Sequence, residues 1–196
     1  MYRFYLLYCL FLCLGNILFA QTTGFEKGVP QSFCTVQSNE LSSSEEFYKE
    51  GKRSLAWQFS PRSVLTVKLD TPLHLDSVSK EKRGITLWIY NEQVRKDSLR
   101  FEFFSPTGHI SYRFGFRLNA QGWRACWIGF AHMKGDKQEN TIAGYRIVAP
   151  DNNGRVFFDR LVFPVKEMNQ RTTPDMQMPY NNSLTFRDLW HWCRVW

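Results

Sequence analysis

The segment Ile110-Ser-Tyr-Arg-Phe-Gly-Phe-Arg-Leu118 alternates apolar and polar side chains with a period of two. Successive side chains of a β-strand point to opposite faces of the sheet. Its apolar members are Ile110, Tyr112, Phe114, Phe116 and Leu118, and between them lie Ser111, Arg113, Gly115 and Arg117. The pattern therefore predicts a strand with one face in a hydrophobic core and the other in solvent.

Runs of the same kind recur on both sides of this segment. Alternating or continuous apolar runs lie at 53–59, 63–69, 84–90, 98–104, 123–130, 143–149 and 155–163, and turn-forming stretches lie at 105–108, 119–122 and 151–154. No helical run of useful length is predicted before residue 183. Eight or nine short strands predict an all-β fold, an antiparallel β-sandwich of the jelly-roll type. A closed barrel stays open as an alternative, because periodicity alone does not exclude it.

The two ends of the chain differ from this middle part. Residues 1–20 carry a single charge and an apolar run at 5–14, which favours a cleaved secretory signal peptide over an uncleaved membrane anchor. We therefore expect a secreted or periplasmic protein, free of the membrane after cleavage, whose sandwich spans 21–165. Residues 166–182 predict a linker or strap, and residues 183–196 predict a short, aromatic-rich helix.

Composition excludes a disordered chain and a disulfide scaffold. Of the 196 residues, 43% are hydrophobic and 16% are aromatic, which is enough to form a core. Without residues 1–20 the chain has 24 basic and 18 acidic residues, a net charge of +6. Only Cys34, Cys126 and Cys193 then remain, so at most one disulfide forms within the chain. We expect Cys126 to serve as a small buried hydrophobe.

The sequence contains no arrangement that predicts catalysis. Its histidines (His74, His109, His132 and His191) are not spaced as a metal pair, and neither a phosphate-binding loop nor a nucleophile motif is present. His109 and His74 are expected in a turn and in a proline-bounded loop, respectively. A nucleic-acid partner is not expected either, because no recognised reading motif accompanies the basic charge.

The basic excess predicts a binding surface instead. Arg113 and Arg117 share a strand face, Arg100 comes from the preceding strand, and Trp123 and Arg124 begin the next one. Guanidinium groups bind sulfate and carboxylate groups through planar, bidentate contacts. These five residues are therefore the predicted carbohydrate-binding set. The alternative is that the arginines only form a solvated outer face.

Two carboxylates form a second candidate site. Glu26 is expected at the start of the first strand and Asp159 in the last strand. If these strands pair, the two carboxylates meet and hold Ca²⁺ with backbone carbonyls completing the shell. The alternative is a pair of edge carboxylates that basic neighbours or water satisfy.

Several motifs follow one another in order over residues 24–196. They are Gly24-Phe-Glu-Lys-Gly-Val-Pro30, Ser54-Leu-Ala-Trp57, Leu87-Trp-Ile-Tyr-Asn-Glu92, Gly122-Trp-Arg-Ala-Cys-Trp127, Val156-Phe-Phe-Asp159 and Arg171-Thr-Thr-Pro-Asp-Met-Gln-Met-Pro179. Together they resemble the N-terminal domain of chondroitin sulfate ABC lyases, in polysaccharide lyase family eight. Any single one of these motifs is weak, and their order makes the resemblance specific.

The resemblance implies a jelly-roll module, similar to carbohydrate-binding modules, that precedes a large helical toroid. In that family the toroid cleaves uronate-containing glycosaminoglycans by β-elimination, and its catalytic residues match no position in 1–196. The resemblance further implies that 183–196 begins a truncated catalytic domain. The implied function is a non-catalytic module that supports binding of a sulfated glycosaminoglycan and packs on the toroid. An active chondroitin sulfate ABC endolyase and a purely structural domain are the alternatives.

Overall fold

The computed structural model describes residues 21–36 and 40–165, so the predicted signal peptide, linker and terminal helix lie outside the described residues. The strands are β1 (Gln21–Thr23), β2 (Phe33–Thr35), β3 (Leu41–Ser44), β4 (Ser54–Phe59), β5 (Val64–His74), β6 (Gly84–Asn91), β7 (Ser98–Phe104), β8 (Ile110–Arg117), β9 (Gly122–Gly129), β10 (Thr141–Val148) and β11 (Gly154–Val165). A short helix, α1 (Ser77–Lys82), and two 3₁₀ turns, Phe25–Lys27 and Phe130–His132, complete the elements.

The strands pair antiparallel in two sheets. The first sheet has the order β3-β4-β11-β6-β9, with β1 beside the later part of β11, and the second has the order β2-β5-β10-β7-β8. Side chains from both sheets form one hydrophobic cluster between them. This arrangement confirms the predicted β-sandwich over a closed barrel.

The alternation in β8 is confirmed from Tyr112 to Arg117, whereas Ser111, predicted on the solvent-facing side, is fully buried. Tyr112 and Phe116 are buried, whereas Arg113 and Arg117 are exposed. The continuous apolar run of β6 is also explained, because this strand lies in the interior of the first sheet and is buried on both faces. The centre of the core is aromatic: the Phe103 ring lies 5.2–5.5 Å from the rings of Phe130, Tyr145 and Phe163.

Some elements differ from the sequence prediction. Strands β1, β2 and β3 are only three or four residues long and contain too few apolar residues for a detectable alternation. Strand β5 continues through Pro72 to His74, which therefore ends a strand and does not lie in a loop. Helix α1 is only six residues long, and its N-terminus is capped by Asp76, whose side chain accepts a hydrogen bond from Ser79 N at 2.7 Å.

Glu26 does not lie in a strand, so that prediction is wrong. The 3₁₀ turn Phe25–Lys27 follows β1, and Phe25 is fully buried in the core while Glu26 is exposed. The prediction for Asp159 is confirmed, because this residue lies in β11. Cys126 is buried as expected, and burial raises the pKa of its thiol. Within the described residues, no helix is long and apolar enough to cross a membrane.

We expect truncation of Phe103 to destabilise the domain strongly. Phe103→Ala removes a fully buried ring that contacts both sheets, and such changes lower the free energy of unfolding by about 3–5 kcal/mol. Val94→Ala, at a position 65% exposed, should change it by less than about 0.5 kcal/mol. Denaturant titration followed by tryptophan fluorescence measures both, and equal effects would contradict the assignment of the core.

Candidate binding surface

Three of the five predicted binding residues share the outer face of the second sheet. Arg100 lies on β7, and Arg113 and Arg117 lie on the neighbouring strand β8, all with exposed side chains. Arg113 and Arg117 are four residues apart on one strand, so their Cα atoms are separated by about 14 Å. Neither forms an ion pair with any described residue.

Strand pairing adds two residues that the sequence analysis did not select. Glu102 on β7 lies opposite Arg113 on β8 and opposite Arg146 on β10. We call Arg100, Arg113, Arg117 and Arg146 the arginine face. Glu102 lies among them, so four guanidinium groups and one carboxylate give this part of the surface a net charge of +3.

Glu102 binds two of these arginines at once. Its Oε1 accepts a hydrogen bond from Arg100 Nε at 2.6 Å, and its Oε2 accepts one from Arg146 Nε at 2.6 Å. The glutamate side chain is only 8% exposed, against 58% for Arg100 and 42% for Arg146. The carboxylate therefore lies beneath two guanidinium groups that remain accessible to solvent.

A shallow groove continues this surface at one end of the sandwich. Arg100 lines it together with Arg62, and the remaining lining residues are Asp97, Ser98, Val148, Ala149, Pro150 and Asp151. Arg62 Nε donates to Asp151 Oδ1 at 2.6 Å, which raises the pKa of Arg62 and lowers that of Asp151. The groove brings a further guanidinium group close to the arginine face.

Trp123 and Arg124 are not part of this face, because both lie on β9 of the first sheet. Arg124 donates hydrogen bonds to the Arg117 carbonyl oxygen and to Asn119 Oδ1, and it lies over the Phe116 ring. It therefore joins the edges of the two sheets, and partial burial lowers its pKa. The Trp123 ring contacts Tyr90 at 5.4 Å on the opposite side of the sandwich. Carbohydrate binding by either residue stays a prediction.

The two carboxylates of the second candidate site bind one segment. We call residues 45–53, which join β3 to β4, the strap; this segment is distinct from the linker predicted at 166–182. Glu26 Oε1 accepts hydrogen bonds from Lys52 N and Arg53 N at 2.9 and 3.0 Å, whereas Asp159 Oδ2 accepts them from Lys49 N and Glu50 N at 2.6 and 2.9 Å. The carboxylates thus fix the strap through adjacent backbone N–H groups.

The strap covers the outer face of the first sheet. The Phe47 ring stacks on Tyr90 at 4.0 Å, and Lys49 Nζ lies 4.4 Å from the centre of the Trp88 ring. At Gly51 the backbone has φ of +69°, and an added Cβ would collide with the Glu26 carboxylate. The positive φ therefore favours glycine here, and a side chain would displace the carboxylate that binds the strap.

Asp159 is almost completely buried beneath the strap, at 1% exposed. Burial raises the pKa of this carboxyl group, an effect that hydrogen bonds from the backbone N–H groups of Glu50, Lys49 and Arg160 partly offset. A buried carboxylate is stable only when such donors surround it. The strap and Asp159 therefore depend on each other.

Calcium binding by Glu26 and Asp159 stays a prediction. Ca²⁺ takes six to eight oxygen ligands, and no group of three or more acidic, histidine or cysteine residues that suits a metal is found in the part of the chain that the structure describes. If the pair holds Ca²⁺, adding the ion raises the melting temperature, and Glu26→Ala abolishes the increase. An unchanged melting temperature would leave these carboxylates as anchors of the strap.

We expect Asp159→Ala to destabilise the domain, because it removes the acceptor of three backbone N–H groups. Leaving part-buried donors of this kind unpaired lowers the free energy of unfolding by about 1–3 kcal/mol. Asp151→Ala is the control, since Asp151 is an exposed acid whose loss should leave the denaturation midpoint nearly unchanged. Similar midpoints for the two variants would show that Asp159 does not anchor the strap.

Comparison with known proteins agrees with the resemblance drawn from the motifs. The family model described as "Lyase, N terminal" matches residues 20–180. The chondroitin sulfate ABC exolyase of Bacteroides thetaiotaomicron is 35% identical over 170 residues, and that of Proteus vulgaris is 31% identical over 159 residues. The alignments cover 85% and 81% of this chain but only 16% of either enzyme, so the chain spans about a sixth of their length.

A solved structure supports the fold. The CBM22-1 xylan-binding domain of Paenibacillus barcinonensis Xyn10C superimposes with a TM-score of 0.52 at 14% identity, and covers 76% of this chain and 94% of that one. At this identity the similarity concerns the fold alone. Since the family model matches most of the chain, the protein belongs to the family formed by the N-terminal domains of chondroitin lyases.

Proposed function

We propose that this domain is a non-catalytic, carbohydrate-associated module of a secreted glycosaminoglycan lyase. Its relatives are chondroitin sulfate ABC exolyases, and the alignments cover only 16% of their length. The observation that carries the proposal is the arginine face, which presents four guanidinium groups on three adjacent strands. A sulfated glycosaminoglycan is the ligand class that this surface fits best.

The chemistry of the arginine face suits such a ligand. A glycosaminoglycan carries sulfate and carboxylate groups repeatedly along its length, and guanidinium groups bind both through paired N–H donors. Arg113 and Arg117 are exposed and separated by about 14 Å along β8, so they can contact successive anionic groups of an extended chain. The net positive charge of the whole protein adds long-range attraction to any polyanion.

The location on a sheet also favours binding. Strands β7, β8 and β10 hold their side chains in a fixed register, because their inner faces are buried in the core. A binding surface on such a scaffold loses little conformational entropy when the ligand binds. The same arginines on a loop would first have to be ordered.

We propose that bond cleavage requires residues beyond this chain, on the helical toroid that the family resemblance implies. Among the described residues, His109 contacts a carboxylate, Asp136, at 2.7 Å, but both side chains are exposed on the surface. The domain would pack on the toroid and extend the track for the anionic substrate. Export through a cleaved signal peptide at 1–20 is part of the same proposal.

We expect the double variant Arg113→Ala/Arg117→Ala to bind chondroitin sulfate about tenfold more weakly at low salt, because two charge-assisted contacts are lost. Isothermal titration of the full chain with chondroitin sulfate at low and at physiological salt measures the effect. The matched control is Lys52→Ala/Arg53→Ala, which removes the same charge from the strap, on the other side of the sandwich.

The outcome separates the proposal from the structural alternative. Equal weakening by both double variants would mean that only net charge matters, and the arginine face would not be the site. If the unchanged protein shows no salt-sensitive binding at micromolar concentration, the domain is structural.

A further inference from the structure

We propose that Glu102 is a positioning residue that makes Arg100 and Arg146 a preformed site for one anionic group, a sulfate ester or a carboxylate. The inference deepens the proposed function and rests on it. Neither Glu102 nor Arg146 belongs to the five residues predicted from the sequence, and Glu102 is an acidic residue on a surface that binds an anionic ligand.

The hydrogen bonds of Glu102 leave the outer edges of both guanidinium groups available. Each carboxylate oxygen accepts one hydrogen bond from an Nε atom, at 2.6 Å in both cases. A guanidinium group has five N–H donors, and four of them are on the two terminal nitrogens. Those terminal nitrogens of Arg100 and Arg146 donate no hydrogen bond to any residue that the structure describes.

The fixed Nε contacts set the direction in which the terminal nitrogens point. A guanidinium group is planar and rigid, so its orientation follows once Nε–H is bound to a fixed acceptor. Glu102 is a suitable acceptor because its side chain is nearly buried in the middle of β7, between β8 and β10. Two guanidinium groups held by the two oxygens of one carboxylate are thus oriented together before any ligand binds.

The local charge still favours an anion. Arg113 lies opposite Glu102 on β8, so these three arginines and Glu102 together carry a net charge of +2. Asp151, which also interacts with the charge of Arg100, is paired with Arg62. Arginine side chains lose considerable rotational freedom when they bind. Because Glu102 already restricts Arg100 and Arg146, part of that loss does not recur on ligand binding, which is the benefit of preorganisation.

A positioning role of Glu102 and a purely electrostatic effect of the surface predict opposite changes in affinity for Glu102→Gln. If the surface attracts anions only through its charge, Glu102→Gln strengthens binding, because a negative charge is removed. If Glu102 positions the arginines, the same variant weakens binding, because the Nε–H groups lose a charged acceptor and the guanidinium groups are no longer held.

The test is titration of the full chain with chondroitin sulfate oligosaccharides at low salt. We expect Glu102→Gln to weaken binding by about three- to tenfold. Arg146→Lys should weaken it to a similar extent although the charge is retained, because an ammonium group lacks the planar donor pair. Arg53→Lys, on the strap, is the matched control and should bind like the unchanged protein.

Melting temperatures and the ¹⁵N–¹H signals of arginine Nε–H groups check that the variants are folded. The Nε–H signals of Arg100 and Arg146 should move in Glu102→Gln. If that variant does not fold, Arg146→Lys carries the test, because it keeps both the charge and Glu102. A parallel titration with unsulfated chondroitin identifies the group: loss of affinity for both chains indicates the carboxylate, and loss for the sulfated chain alone indicates the sulfate.

Failure of this inference differs from failure of the proposed function. Suppose that the unchanged protein binds the oligosaccharides. If Glu102→Gln then binds them as tightly or more tightly, or if Arg146→Lys binds them as tightly, Glu102 has no positioning role. The arginine face then acts through its charge alone. If the unchanged protein does not bind either chain, the proposed function fails and this inference fails with it.

Discussion

The opposite orientation of successive side chains along each strand is the constraint on which both the core and the arginine face depend. On β7, Phe101 and Phe103 are fully buried, whereas Arg100 and Glu102 lie on the other face. On β8, Phe116 and Arg117 are separated in the same way. Burial of the aromatic rings therefore places the guanidinium groups, and no additional element is needed to present them.

The outer face of the first sheet has to be covered, because the central strands of this sheet are apolar on both faces. Trp88 on β6 and Phe157 on β11 lie on the face away from the core, and both are nearly inaccessible to solvent. The strap covers this face, with Phe47 in contact with Phe157. Glu26 and Asp159 hold the strap through its backbone N–H groups. Two of the motifs that carry the family resemblance contain these carboxylates, and the anchoring of the strap gives a physical reason for their presence.

The strands with clear alternation could be predicted from the sequence, because burial of one face leaves a pattern in adjacent residues. The short strands β2 and β3 could not, since three or four residues contain too few apolar positions. The residues of the candidate site could be predicted only in part, for a related reason. Trp123 and Arg124 are consecutive on β9, and consecutive residues face opposite sides, so alternation already argued against one site containing both. Arg146 could not be found in this way, because its proximity to Glu102 depends on the pairing of β10 with β7, which are distant in the sequence.

The dependence of the arginine face on strand register links binding to stability. A shift of one residue in the pairing of β7 would exchange its faces, placing Arg100 and Glu102 in the core and Phe101 and Phe103 in solvent. The aromatic core excludes that shift, since Phe101 stacks on Phe114 of β8 at 4.6 Å and Phe103 contacts Tyr145 of β10 at 5.5 Å. The contacts that hold β7 between its neighbours are therefore the same contacts that keep Glu102 beneath Arg100 and Arg146. A substitution that loosens this part of the core should thus weaken anion binding even when every charged residue is retained.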